Sequence, residues 1–182
     1  RVTFVEAVAG PVESSTYQTF PIAVSAGYQH TLALLQDGTM RAWGWNESGQ
    51  LGVSTSIAFS ATPIPVPNLS NVVAISAGAW HSMALKSDGT ITAWGSFFES
   101  LPVTPPTGIS SVMAVAGGVG HSMILRSNGT VQVWGDQFSH ITTPSGLSGV
   151  IAIAAGHDFG LALKSDGTVV AWGLGGTYPP NV

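Results

Sequence analysis

Val72 to Gly95 reads VVAISAGAWHSMALKSDGTITAWG, and three close copies of this stretch occur elsewhere in the chain. They are Pro21–Gly44 (PIAVSAGYQHTLALLQDGTMRAWG), Val112–Gly135 (VMAVAGGVGHSMILRSNGTVQVWG) and Ile151–Gly173 (IAIAAGHDFGLALKSDGTVVAWG). The closing tryptophans Trp43, Trp94, Trp134 and Trp172 stand 51, 40 and 38 residues apart, a period that calls for a repeat architecture.

Within one copy the residue types are those of strands. Val72, Val73 and Ile75 are β-branched, while Ala74, Ser76, Ala77 and Gly78 are small enough to let another backbone approach. Ser82–Lys86 and Thr90–Trp94 flank Ser87-Asp88-Gly89, a turn in which Gly accepts positive φ and Asp bonds back to its own backbone. Asp37-Gly38, Asn128-Gly129 and Asp166-Gly167 repeat it, so each copy predicts a β-hairpin behind an inner strand. No helical periodicity of comparable length is present.

After each Trp-Gly comes a variable loop, followed in the first three copies by a proline-bearing segment: Pro63, Pro65 and Pro67, then Pro102, Pro105 and Pro106, then Pro144. Proline cannot donate to a ladder, so a fourth strand is expected to be short and to lie at an outer edge. Such a unit cannot bury both faces alone. Stacked radially, the units give an all-β fold, a β-propeller of about four blades, with Trp, Leu and Ile packed between neighbours. The expected organisation is 1-19 as part of a preceding blade or an N-terminal strand, then 20-182 as a four-repeat segment with cores 21-44, 72-95, 112-135 and 151-173.

The pattern V-x-A-I-x-A-G-x-x-H-S-x-A-L-K-x-D-G-x-x-x-A-W-G resembles the regulator of chromosome condensation repeat, fixing small residues, a His, a turn and a Trp-Gly at set spacings. The short, weakly charged copies look most like the secreted bacterial branch of that family, whose members inhibit β-lactamases. The resemblance implies a propeller that binds protein partners, and family rings usually close with more blades than four. An open arc is therefore expected, whose ends self-associate with another copy or pair with further parts of a longer protein.

A chain of 182 residues with 45% hydrophobic and 8% charged content is globular rather than disordered. The net charge is −4, and the five bases form no clustered stripe, so a nucleic-acid partner is excluded. No apolar run reaches the roughly 18 residues of a membrane span, so no membrane insertion is expected. Cysteine is absent, which fits a cytosol or a bacterial exterior. The sparse charge and the richness in Ser, Thr and Gly favour a secreted or cell-surface protein.

Candidate chemistry is thin. His30, His81 and His121 recur at one position, but packed sheets stand about 10 Å apart, too far for neighbouring blades to share one ion. They read as neutral imidazoles bonded to backbone near the inner strand. No G-x-S-x-G elbow occurs, and His81-Ser82 and His121-Ser122 are sequence neighbours pointing to opposite strand faces. No catalytic residue, metal or cofactor is assigned, and the chain reads as a non-enzyme.

What remains is a set of loop residues that break the repeat. Trp45 and Glu47, Phe97 and Phe98, and Asp136, Phe138 and His140 follow successive Trp-Gly pairs. Their aromatic rings are expected to be partly exposed and to form a protein-contact surface. A second set follows the inner strands and includes Tyr28 and Trp80, expected at the opposite end or around the channel mouth. Trp80 in Gly-Ala-Trp-His-Ser resembles the tryptophan position of plant ultraviolet-B receptors, but a single copy has it. The reading is a non-catalytic protein-binding module, with a structural assembly role in a larger cell-surface or appendage protein as the alternative.

Overall fold

The computed structural model describes residues 19–97, 103–135 and 141–173. Among these residues there is no helix, and every paired strand is antiparallel. The first sheet is β1 (Pro21–Ala26), β2 (His30–Leu35), β3 (Met40–Trp45) and β4 (Phe59–Pro65), in that spatial order. The second is β5 (Val72–Ala77), β6 (His81–Lys86) and β7 (Ile91–Gly95). The third is β8 (Val112–Gly117), β9 (Ser122–Arg126) and β10 (Val131–Trp134), and the fourth is β11 (Val150–Ala155), β12 (Phe159–Lys164) and β13 (Val169–Gly173). Among the described residues the proline-bearing outer strand forms only in the first sheet, as β4, which contains Pro63 and Pro65 and lies at the sheet edge as expected, where a missing N–H does least harm; with seven residues it is not the short strand expected.

The hairpin turns form as their residues dictate. Gly38 has φ 75°, and the Asp37 carboxylate accepts from the Thr39 N–H (2.9 Å) and hydroxyl (2.6 Å). Asp88 with Thr90, Asn128 with Thr130 and Asp166 with Thr168 make the same pair of bonds. Each inner strand also carries one irregularity of register at the same place, between Pro21 and Ala23, Val72 and Ala74, Val112 and Ala114, and Val150 and Ala152. That bulge leaves Ile22, Val73, Met113 and Ile151 exposed in all four sheets.

Sheets pack face to face in chain order, the second strand of one against the inner strand of the next. Leu32, Leu34 and Met40 of the first sheet meet Ile75, Ala77, Ala84 and Trp94 of the second. Leu85 and Ile91 meet Val115, Ile124 and Trp134 at the next junction. Met123, Leu125 and Val131 meet Ile153, Ala162 and Trp172 at the last. Trp94, Trp134 and Trp172 therefore sit between blades, as the pattern predicts, whereas Trp43 belongs to none of these junctions. The turn of each sheet also receives the start of the next inner strand: Val72 N–H donates to Gly38 O (3.1 Å) and Val112 N–H to Gly89 O (3.2 Å).

Candidate functional site at the loop end of the blades

Antiparallel pairing decides where the loops lie. The β1–β2 connection and the exit of β3 fall at one end of a sheet, and the Asp-Gly turn falls at the other. Two backbone bonds fix this: Trp45 N–H donates to Gln29 O (2.9 Å), and Ser96 N–H donates to Trp80 O (3.1 Å). The expectation that Tyr28 and Trp80 sit at the opposite end from the Trp-Gly loops is therefore corrected. Both variable sets share one end.

This end is held by groups that repeat from blade to blade. His30 Nε2 lies 2.9 Å from Ser82 Oγ of the next sheet, and His81 Nε2 lies 2.9 Å from Ser122 Oγ. Ser82 in turn donates to Gln50 O (2.7 Å), so its oxygen accepts from His30 and the Nε2–H tautomer follows. Burial pushes His30 down to about 4 and His81 to about 3, the latter also opposed by neighbouring imidazoles. These histidines are neutral, as the sequence suggested, but their partner is a serine across the blade junction rather than backbone within it. His30, His81, Ser82 and Ser122 are all buried, so this His–Ser geometry is a structural clamp closed to substrate.

Gly78 shows why the motif needs a glycine three residues before the histidine. A Cβ there would overlap the His81 ring and lie 2.6 Å from Gly118 O. Around it run further ties between blades. Ala77 N–H donates to Ser25 Oγ (2.9 Å) and Gly117 N–H to Ser76 Oγ (3.0 Å). Tyr28 N–H donates to Ala79 O (3.3 Å), Ala79 N–H to Gly118 O (3.0 Å) and Val119 N–H to His157 O (3.3 Å). Together the four turns line an open groove of about 260 Å³ floored by Gly27, Gly78, Gly118 and Gly156.

Aromatic side chains stand at the same end of the blades, and one of them, Tyr28, lines the groove. Tyr28 is 73% exposed and meets Trp80 edge to face, with centroids 6.1 Å apart. Trp45 makes a similar pair with exposed Phe59 at 6.5 Å, with exposed Ile57 two residues before that phenylalanine. The loop that carries this second pair is ordered by Asn46, which is fully buried. Its amide donates to Ile57 O (2.8 Å) and Ser54 O (3.2 Å), and its carbonyl accepts from Leu51 N–H (2.8 Å). Gln50 O, from the same loop, takes the indole N–H of Trp94 at 2.9 Å as well as the Ser82 hydroxyl. The 51-residue spacing between Trp43 and Trp94, against 40 and 38 for the next two, makes this loop longer than its counterparts, yet nothing in the sequence marks Gln50, Ile57 or Phe59 within it.

Phe97 is a correction. It is 3% exposed, stacks edge to face on His81 at 4.9 Å, and fills the space where Gly135 lacks a side chain. It packs between His81 of its own blade and Gly135 of the next instead of offering a contact. Glu47 is exposed at the loop end, whereas Phe98, Asp136, Phe138 and His140 lie outside the described residues.

Charge divides between the two ends. The described cations Arg41, Lys86, Arg126 and Lys164 all belong to the turn end, where Lys164 pairs with Asp166 (2.9 Å) and Arg126 donates to Gln132 (2.6 Å). At the loop end the described carboxylates are Glu47 and Asp158, the latter 2.6 Å from His157 Nδ1. No basic stripe faces either groove or loops.

Four small antiparallel sheets packed face to face, each repeating one turn, three of them a buried His and three an inter-blade Trp, define a repeat β-propeller. The chain belongs to the family of the regulator of chromosome condensation (RCC1) repeat, which matches residues 22–50, 72–99, 112–140 and 150–178, with a further match over 37–85. It is 34% identical over 87 residues to Protein pim1 of Schizosaccharomyces pombe, covering 41% of this chain and 16% of that protein. It is 37% identical over 79 residues to the Ultraviolet-B receptor UVR8 of Arabidopsis thaliana, covering 42% of this chain and 18% of the receptor. The crystal structure of Prp20p from Saccharomyces cerevisiae superposes with a TM-score of 0.70 at 20% identity, over 92% of this chain and 50% of that one. The chain thus spans under a fifth of these curated relatives and half of the solved propeller.

Proposed function

We propose that this chain is a non-catalytic binding module that holds a protein partner against the loop end of its blades. One observation carries the reading: Tyr28, Trp80, Trp45 and Phe59 gather at that end, while the described cations gather at the other. Aromatic side chains give large contact area for little lost rotamer freedom, and such anchors dominate protein interfaces. On the sequence alone, Phe98, Asp136, Phe138 and His140 are assigned to the same proposed surface. The same fold carries partners elsewhere, since yeast RCC1 (Prp20) has been crystallised bound to Kap60.

The test is affinity capture from the source organism, identification of the partner, and titration of the purified pair. Tyr28→Ala and Trp45→Ala are expected to weaken binding by about 2 kcal/mol or more, and Lys86→Ala to leave it unchanged. The opposite ranking would move the surface to the turn end. An assembly role is favoured by a separate observation, the exposure of Val24 and Leu163 on the outward faces of the first and fourth sheets.

A further inference from the structure

The groove at the loop end has a floor without side chains and two ends of different chemistry. Gly27, Gly78, Gly118 and Gly156 come from four successive blades and line an open space of about 260 Å³. A Cβ at any of the four would overlap the His or Phe ring of its own blade, so packing beneath the floor keeps it bare. The ends are free to differ. At one stands Tyr28, 73% exposed. At the other stands His157, whose neighbour Asp158 holds a carboxylate at the surface. Its Oδ2 lies 2.6 Å from His157 Nδ1, while Oδ1 takes no bond among the described residues.

The fixed charges on this face are of one sign. Asp158 and exposed Glu47 are its described carboxylates, and the described Lys and Arg residues all belong to the turn end. At the turn end the carboxylates are already engaged: Asp37, Asp88 and Asp166 accept from Thr39, Thr90 and Thr168, and Lys164 pairs with Asp166. Glu47 and the second oxygen of Asp158 are left for a group from outside. A cleft with apolar walls and one sign of charge concentrates the field that draws such a group in.

We infer that the partner's contacting segment is basic, laying lysine or arginine side chains along the glycine floor between Tyr28 and Asp158, an inference that rests on the loop-end binding proposed above. The bare floor takes the apolar stems of such side chains. The exposed ring of Tyr28 attracts a cationic head over its face, and the carboxylates at the other end and on the first loop supply opposite charge. Every group involved belongs to the four described sheets, so the inference holds equally for a chain that continues beyond them.

Oligolysine and oligoglutamate peptides of equal length are the probes, titrated calorimetrically into the chain at about pH 8, where imidazoles are neutral. The chain should bind oligolysine and not oligoglutamate, with an affinity that falls as salt is added. Tyr28→Ala and Asp158→Asn should each weaken binding about two- to fivefold. Asp88→Asn removes the same charge from the turn end, where Asn128 already makes the equivalent bonds in the third copy, and should change nothing. Equal losses for Asp158→Asn and Asp88→Asn would reveal attraction to net charge alone and overturn the inference, as would no binding or equal affinity for the two peptides. If oligolysine fails to bind while a captured partner still depends on Tyr28 and Trp45, this inference falls and the loop-end surface stands. A captured partner indifferent to both residues overturns the two together.

Discussion

Acid should loosen this protein at a pH where its carboxylates are still ionised, and the cause is the pair of buried histidines. The folded chain keeps His30 unprotonated down to about 4 and His81 down to about 3, against 6.5 for an unhindered imidazole. Between those values the unfolded chain binds more protons than the folded one, so stability falls as pH falls. It is full above about 6.5 and the loss stops growing only below the folded values. At pH 5, about 1.5 units below the ordinary value and at 1.36 kcal/mol per unit, each histidine removes about 2 kcal/mol, or about 4 for both. That is a large share of the roughly 5–15 kcal/mol that stabilises a typical domain. Asp37, Asp88 and Asp166 have their carboxyls held below the usual carboxylate range, mainly by bonds from neighbouring hydroxyl, backbone N–H or lysine groups. Their contribution is lost only as pH falls below about 4, so the two effects separate.

The assay is urea unfolding followed by tryptophan fluorescence at pH 8, 6.5, 5 and 4, since Trp94 and Trp134 sit at the blade junctions. Proton NMR titration of the native protein gives an independent reading, in which the His30 and His81 ring signals should not shift above pH 5. A stability curve that is flat from pH 7 to pH 5 would refute the reasoning, because it would mean that both rings take up protons without disturbing the junction.

Gly78→Ala should destabilise by about 3 kcal/mol or more, because the new methyl meets the His81 ring and the Gly118 carbonyl. Gly120→Ala, with open space around its Cβ position and no positive φ, should instead stabilise by about 0.4–1 kcal/mol through the unfolded chain; thermal melts of the two variants decide it. Ser111 is held at φ 57°, where Asn71 and Gly149 stand in neighbouring copies, so Ser111→Gly should raise the melting temperature by relieving about 1 kcal/mol of backbone strain. Asn46→Ala should cost about 2–3 kcal/mol and speed hydrogen exchange at the Leu51 amide, which would lose its acceptor in a buried loop. Unchanged exchange at Leu51 would show that other residues order that loop.

The parts of the fold visible in the sequence are those governed by residues close together in the chain. The Asp37-Gly38-Thr39 turn could be read because the carboxylate, the positive φ and the acceptor geometry all lie within three residues. The inter-blade tryptophans followed from the period alone. The His–Ser clamp was missed because each bond joins residues 52 or 41 positions apart, whereas sequence inspection paired each histidine with its own neighbouring serine. The repeat did hold the signal, since a His in one copy and a Ser in the next are one period apart. Phe97 was misplaced for a related reason: its burial depends on Gly135 in the following blade, and nothing local to Phe97 reports that absent side chain.

The same distinction between backbone and side chain explains where variation falls along the loop end. The two residues after each inner-strand glycine differ in every copy: Tyr28-Gln29, Ala79-Trp80, Val119-Gly120 and His157-Asp158. Yet the ties that run from blade to blade at these positions join N–H to carbonyl and involve no side chain, as in Tyr28 to Ala79, Ala79 to Gly118 and Val119 to His157. A backbone bond leaves the side chain unconstrained by the fold. The adjacent histidines, serines and glycines are fixed by contacts that a different side chain would break. Residues such as Tyr28 and Trp80 can therefore be chosen for what they touch outside the molecule, and a change at Tyr28 should alter binding before it alters stability.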